Sequence, residues 1–279
     1  MSRSPLLLRL IDDAAVFPPG DAALDVAVHE HLERRVGPYA AQLGPLLVPA
    51  GAAAELARLA GDDERCVTSP LEVGLVVRPG APAAPLADAV SLLRDDPHLV
   101  VTGAELGWAD GWRAALDLEV PLSVEVGLDT EQERALDDIA SAVDDEADVQ
   151  AKFRTGATLS WAWPDEQVLA RFLDGVILRG LAFKLTGGLH HAVRTIEGEP
   201  QHGLLNVLLA THEALDGAES DELAGILAQT SAEVLVDRMI RLDADSAARV
   251  RASFTAYGCC GVLDPIGELT ALGLLDAPA

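Results

Sequence analysis

Lysine is nearly missing from this sequence. Of 20 basic residues in 279, only Lys152 and Lys184 are lysine, and the other eighteen are arginine. Positive charge of any kind is scarce, because 45 acidic residues leave a formal charge of −25 at pH 7. So acidic a chain lacks the basic face that displaces counterions from a phosphate backbone, which argues against a nucleic-acid partner. Cysteine is limited to Cys66, Cys259 and Cys260. Two of the three are adjacent and there is no pair of CxxC motifs, so neither a disulfide framework nor a four-cysteine zinc site is expected. That usage points to a cytoplasmic protein. No apolar run approaches the roughly 20 residues that cross a bilayer, so no membrane association is expected. The opening, MSRSPLLLRLIDDAAVF, is interrupted by Asp12 and Asp13. No signal-type cleavage site comes after it, and it reads as a first strand. Aromatic residues make up only 4% of the chain, yet 49% is apolar, so Ala, Leu and Val must fill a substantial core.

Short β-like runs alternate with amphipathic helical stretches. The runs cover 6–14, 44–50, 72–80, 98–106, 121–127, 148–156, 181–188 and 253–261. Most are continuously apolar, as in strands buried on both faces of a parallel sheet. From the second run to the seventh, successive starts lie 23 to 33 residues apart, the length of one strand–helix unit with short loops. Between the runs, a capping box from Thr130 to Glu133 is expected to open one helix. Pro164 is expected to stand near the N-terminus of another, which presents Val168, Leu169 and Phe172 on one side. No GxGxxG stands after the first run, which argues against an open dinucleotide-binding sheet. The prediction is an α/β chain, a single (β/α)8 TIM-barrel domain over residues 1–279. The long last interval predicts a helical elaboration between strands 7 and 8, at about 189–250. It would pack beside the barrel or serve self-association as a homodimer.

In such a barrel, functional groups sit at the C-terminal ends of strands and in the loops after them. The two lysines fall at matching places there. Lys152 lies in AKFRTG and Lys184 in FKLTGG, one barrel unit apart, each shortly ahead of a Thr-Gly pair that begins at Thr155 or Thr186. An amine can be deprotonated and attack a carbonyl, which a guanidinium cannot do. Burial and a neighbouring cation would both lower its pKa. The structural alternative is a set of buried ion pairs, with Glu105 and Glu125 as the available carboxylates.

These segments, taken in order, resemble the deoxyribose-phosphate aldolase family of class I aldolases. LIDDAAVFPPGDA (10–22) is similar to that family's opening strand and loop, LLVPA (46–50) to its second strand and VGLVVRPGAP (73–82) to its third. VPLSVEVGLDTEQE (120–133) resembles its fifth strand, ADVQAKFRTGA (147–157) the strand with the Schiff-base lysine, and LAFKLTGGL (181–189) the strand with the second lysine. YGCCGVL (257–263) resembles the last strand. The resemblance implies that Lys152 is the nucleophile, and that Lys184 lowers its pKa and shuttles protons. It also implies that Gly187 and Gly188, with 258–261, hold an anionic group through backbone N–H groups. Glu105 stands nearest the family's proton-relaying Asp, and Glu125 is taken with it as catalytic. Arg154 replaces a small residue, and Cys259 and Cys260 replace serines. The loop after the seventh run is far longer than the family's. These departures point to a different carbonyl substrate.

That loop carries His190, His191, Arg194, His202 and Asn206. Three readings stand side by side: a metal held by the histidines with Glu105 or Glu125, an acid–base and anion-binding set, or loop packing. Arg154 suits a carboxylate or phosphate, or else an ion pair with Glu125. Cys259 and Cys260 suit core packing or a reactive thiol. The expected site therefore has Lys152, Lys184, Glu105 and Glu125 as its catalytic groups. Asp12, Arg154, Thr155, Thr186, Gly187, Gly188, His190, His191, Arg194, His202, Asn206, Cys259 and Cys260 would contact the substrate. The leading expectation is a lyase that forms a Schiff base with a small carbonyl compound and needs no cofactor. A metal-dependent hydrolase or isomerase and a non-catalytic metabolite-binding barrel are the rivals.

Overall fold

The protein is described by a computed structural model over residues 5–128, 130–158 and 162–277. Eight parallel strands run in sequence order around a closed barrel. They are β1 (Ile11–Asp13), β2 (Leu43–Pro49), β3 (Leu71–Val76), β4 (Leu99–Gly107), β5 (Leu122–Glu125), β6 (Val149–Arg154), β7 (Phe183–Thr186) and β8 (Phe254–Cys259). Closure is made by β1 on β8, with Asp12 opposite Gly258 and Asp13 opposite Cys259. Helices connect the strands, and the architecture is the (β/α)8 TIM barrel. All eight expected runs contain or overlap a strand. The first is shorter than expected, because Pro5–Leu7 turns as a 3-10 helix instead of extending.

Strand alternation separates two environments. On β6, Phe153 faces out while Lys152 faces the barrel interior, and on β7 Phe183 and Lys184 divide the same way. The few phenylalanines are concentrated behind these two strands. Phe153 stacks on Phe172 at 4.6 Å between centroids, Phe172 meets Phe183 edge-on at 5.7 Å, and Phe183 stacks on Phe254 at 5.1 Å. Four of the five phenylalanines in the chain thus form one ladder that fixes the lysine-bearing strands from outside. Glycine lets the loops after β6 and β7 touch at the rim. A Cβ on Gly156 would run into the Gly187 carbonyl oxygen, and Gly187 itself takes φ +69°.

The expected elaboration between β7 and β8 is present as the helices Leu204–Leu215, Ser220–Leu227, Ala232–Met239 and Ala244–Ser253. Nine of the twelve residues of Leu204–Leu215 are buried, so this helix is covered on several sides by its neighbours. One local expectation needs correction. The helix after β5 is Gln132–Asp144 with Glu131 at its N-cap. Thr130 therefore stands one position too early to form a capping box with Glu133. The helix after β6 is Glu166–Leu178, and its cap is Asp165, whose carboxylate accepts from the Val168 N–H at 2.8 Å. Pro164 stands directly before that cap, near the helix N-terminus as expected. Asp129, which precedes the first of these helices, lies outside the described residues, as does the basic start at 1–4. Among the described residues no helix is long and apolar enough to cross a membrane.

Candidate active site

Five inward-facing charged residues meet in one layer near the C-terminal ends of the strands. β1 contributes Asp12, β4 Glu105, β5 Glu125, β6 Lys152 and β7 Lys184. Strand register brings them level: Glu125 lies opposite Lys152, and Lys152 opposite Lys184. The Lys152 Nζ stands 2.6 Å from Glu105 Oε2 and 2.8 Å from Glu125 Oε2. The Lys184 Nζ stands 2.6 Å from Glu105 Oε1 and donates a short hydrogen bond to Asp12 Oδ2. At the rim, Arg154 Nε donates to Glu125 Oε1 at 2.9 Å. The charges thus alternate along one chain, Asp12–Lys184–Glu105–Lys152–Glu125–Arg154, and sum to zero. Lys152 is 2% exposed and Lys184 5%.

This pairing sets the protonation states. Burial alone would push both amines down, but the carboxylates outweigh it. Glu105 and Glu125 hold Lys152 above its ordinary 10.5, and Asp12 and Glu105 likewise hold Lys184 above it. The expectation that Lys184 lowers the pKa of Lys152 is therefore corrected. Glu105 lies between the two amines and screens one from the other. Burial opposes its ionisation, yet Lys152 and Lys184 together pull the Glu105 carboxyl down to about 2. Burial likewise opposes ionisation of Glu125, and Lys152 and Arg154 bring it below the usual carboxylate range. Asp12 is different. It has one cation where Glu105 and Glu125 have two, and burial prevails, leaving its carboxyl above the ordinary value. Close packing fixes it in place, since a Cβ on Gly44 would overlap Asp12 Oδ1.

The other expected residues divide into rim and loop. Thr155 is tied to β7, with its N–H and its hydroxyl both donating to the Thr186 carbonyl, at 2.8 and 3.2 Å. Thr186, Gly187 and Gly188 lie beside it where β7 ends, and a Cβ on Gly187 would stand 2.7 Å from the Arg154 guanidinium. Asn206 accepts from the Arg194 N–H at 3.0 Å and donates to the Ile226 and Gln229 carbonyls at 2.9 and 2.7 Å. His202 donates from Nε2 to the Pro164 carbonyl at 2.9 Å. Burial and the nearby Arg194 guanidinium push the His202 imidazole down to about 4. Arg194 also pairs with Glu166. Arg194, His202 and Asn206 thereby fasten the long loop to its neighbouring helices.

His191 bonds Glu268 Oε1 through Nδ1 at 2.7 Å. His190 stands between Cys260 and Asp264, 3.4 Å from the Cys260 sulfur and 3.2 Å from the Asp264 carboxylate. The three histidines thus serve three separate partner sets, so the shared metal site that one reading required is not assembled. Among the described residues no group of three or more His, Cys, Asp or Glu is disposed to hold a metal ion. Two partners went unnoticed in the sequence, Asp264 and Glu268. Their only signal was a place in the first and second turns of the last helix, directly after the cysteine pair. No family model matches the chain, and no curated protein matches it.

Proposed function

We propose that this barrel is a lyase that forms a Schiff base between Lys152 and a small carbonyl substrate. The observation that supports this reading best is the Glu105 carboxylate held between two buried amines, near the end of the barrel where such enzymes work. Lys152 must lose a proton before it can attack. An ordinary amine of pKa 10.5 costs about 5 kcal/mol to neutralise at pH 7, and the carboxylates around Lys152 increase that cost. The same carboxylates favour the covalent intermediate. Attack on the carbonyl carbon, followed by return of the proton that Lys152 gave up to the departing oxygen and its loss as water, regenerates a positive charge, now an iminium, at the position of the ammonium. Glu105 and Glu125 face that position and are complementary to the iminium. The electrostatics that oppose deprotonation stabilise the intermediate.

Lys184 keeps Glu105 ionised, and Asp12, raised by burial, is the carboxyl best suited to hold the proton that Lys152 gives up. Arg154 uses one edge of its guanidinium on Glu125, and its partly exposed remainder suits a substrate carboxylate or phosphate. Borohydride reduction in the presence of small aldehydes and ketones tests the reading. One substrate should leave a reduced adduct on Lys152, and Lys152→Arg should abolish it. The paired, neutral charge chain also supports a purely structural use. Equal trapping in both proteins, or none with any carbonyl compound, leaves that second reading in place.

A further inference from the structure

A second constellation stands where β8 ends, outside the charge chain. Cys260 comes directly after β8 and is half-buried. Its sulfur lies 3.4 Å from His190 Nε2, within hydrogen-bond reach for a thiol. The other ring nitrogen, Nδ1, lies 3.2 Å from Asp264 Oδ2. A thiol, an imidazole and a carboxylate are thus lined up through the two opposite nitrogens of one ring. This is the order in which a base takes a proton from a nucleophile while a carboxylate orients it. The partners set the tautomer: Nδ1–H donates to Asp264, and Nε2 accepts from the Cys260 S–H.

Two glycines make room for this line. A Cβ on Gly261 would overlap Asp264 Oδ2 and stand 3.4 Å from His190 Nδ1. A Cβ on Gly20, in the loop after β1, would stand 2.9 Å from the Cys260 Cβ. Asp264 occupies the first turn of the helix Leu263–Ala271, where the helix dipole favours a carboxylate. His190 is mostly covered, with 18% of its side chain exposed, so solvent reaches the line without flooding it. The three residues come from the loop after β7, the end of β8 and the last helix.

We infer that Cys260, His190 and Asp264 form a thiol nucleophile relay at the barrel mouth that accepts an acyl group from an activated ester or thioester. In the step, the Cys260 sulfur bonds to the acyl carbon as its proton passes to His190 Nε2. The carbonyl π electrons move to oxygen and return as the bond to the leaving group breaks. The leaving oxygen or sulfur takes the proton from His190, and a thioester remains on Cys260. Asp264 touches neither the acyl group nor the thiol and is a positioning residue. Burial raises the Cys260 thiol, so the sulfur rests protonated and needs the base at the moment of attack. The Cys259 sulfur lies 3.7 Å from Nδ1, and burial holds it as a neutral thiol as well. The relay does not depend on the Schiff-base reading of Lys152.

The test uses the full chain with p-nitrophenyl acetate. A burst of p-nitrophenolate should appear, approaching one per chain, with a single acetyl group located on Cys260 by fragment mass spectrometry. His190→Gln should slow the burst about 100-fold, the usual scale for losing a general base. Asp264→Asn should slow it less and change its pH profile, while Asp264→Glu restores part of the rate. Acetylation elsewhere, a burst that survives Cys260→Ser, or an unchanged rate in His190→Gln overturns the proposal. Should His190→Gln fail to fold, the wild-type pH profile of Cys260 alkylation by iodoacetamide decides. The groups that face the relay are Asp264, Cys259 and, from β1, Asp13. An inflection well below the thiol range supports the relay, and a single inflection in or above the thiol range overturns it.

Discussion

Replacing Glu105 by Gln removes one negative charge from between two buried ammonium groups and nearly preserves side-chain shape. Before the change the six charges sum to zero, and afterwards the barrel interior carries a net positive charge. Two estimates of the cost agree. Removing one partner of a buried ion pair costs about 3–5 kcal/mol, because the other charge remains without compensation. Separately, the Glu105 carboxyl is shifted from 4.5 to about 2, which by linkage contributes about 3 kcal/mol at pH 7. The direction of the shift gives the sign. A depressed carboxyl stabilises the fold above its unfolded pKa of 4.5, and that contribution is lost as pH falls towards about 2. Urea unfolding of wild type and Glu105→Gln, from pH 7 down to pH 3, measures both features. The stability gap should be about 3 kcal/mol or more at pH 7 and should narrow below pH 4.5. A gap under about 1 kcal/mol at pH 7, or one that does not change with pH, would falsify the charge-chain argument. Glu105→Asp, which keeps the charge and shortens its reach, guards against a variant that does not fold.

His202→Phe should show the opposite pH behaviour from a paired cation. The folded imidazole sits at about 4, against an ordinary 6.5, so the unfolded chain takes up a proton first. Its contribution, about 3 kcal/mol by the same conversion, is complete above 6.5 and disappears as pH falls to about 4. In His202→Phe that part of the acid sensitivity should vanish from urea midpoints between pH 7 and about 4. The variant should also lose about 1–3 kcal/mol at pH 7, because the Pro164 carbonyl is left without its donor. Gly156→Ala should cost more than about 2 kcal/mol in thermal unfolding and loosen the contact between the β6 and β7 loops, since the added methyl meets backbone. An unchanged melting temperature would contradict that close approach. Asp12→Asn should leave the Lys152 adduct attainable but slow its formation several-fold, read as the rate of borohydride-trappable product at fixed pH. An unchanged rate removes Asp12 from the proton path.

The fold was legible because a parallel barrel writes its strands as apolar runs at a regular interval, and all eight appear in place. Boundaries were less legible. β1 shrank to three residues because Pro5 begins a turn, and the cap before Gln132–Asp144 moved by one residue. For the site, the recurrence of a lysine just ahead of Thr-Gly on β6 and β7 was enough to place the two amines side by side. Partner choice was legible in part. Glu105 and Glu125 stood out as the carboxylates available to the lysines, and both pair with them. Asp12 was expected only against the substrate, because it lies far from Lys184 in sequence and only barrel closure brings β1 into the same layer. The histidine segment was left open among three readings, and its partners on the last helix, Asp264 for His190 and Glu268 for His191, could not be read from the sequence.

The near absence of lysine can now be tied to position. Glu125 is served by both kinds of cation, an amine from Lys152 and a guanidinium from Arg154. Arginine therefore suffices at the rim, where its long planar fork has room and one edge can stay free. Within the layer, each cation must fit between two carboxylates at about the reach of a single hydrogen-bonding nitrogen, and a compact ammonium does this where a fork would not. The chain also has unequal ends. At one end the Arg154 guanidinium pairs with Glu125 at the rim. At the other, Asp12 has a single cation partner and the raised carboxyl. Glu105, which two amines hold at about 2, is a poor store for a proton. If Lys152 acts as proposed, the raised Asp12 beyond Lys184 is the better store, and the alternation of charge then gives the proton a direction along the chain.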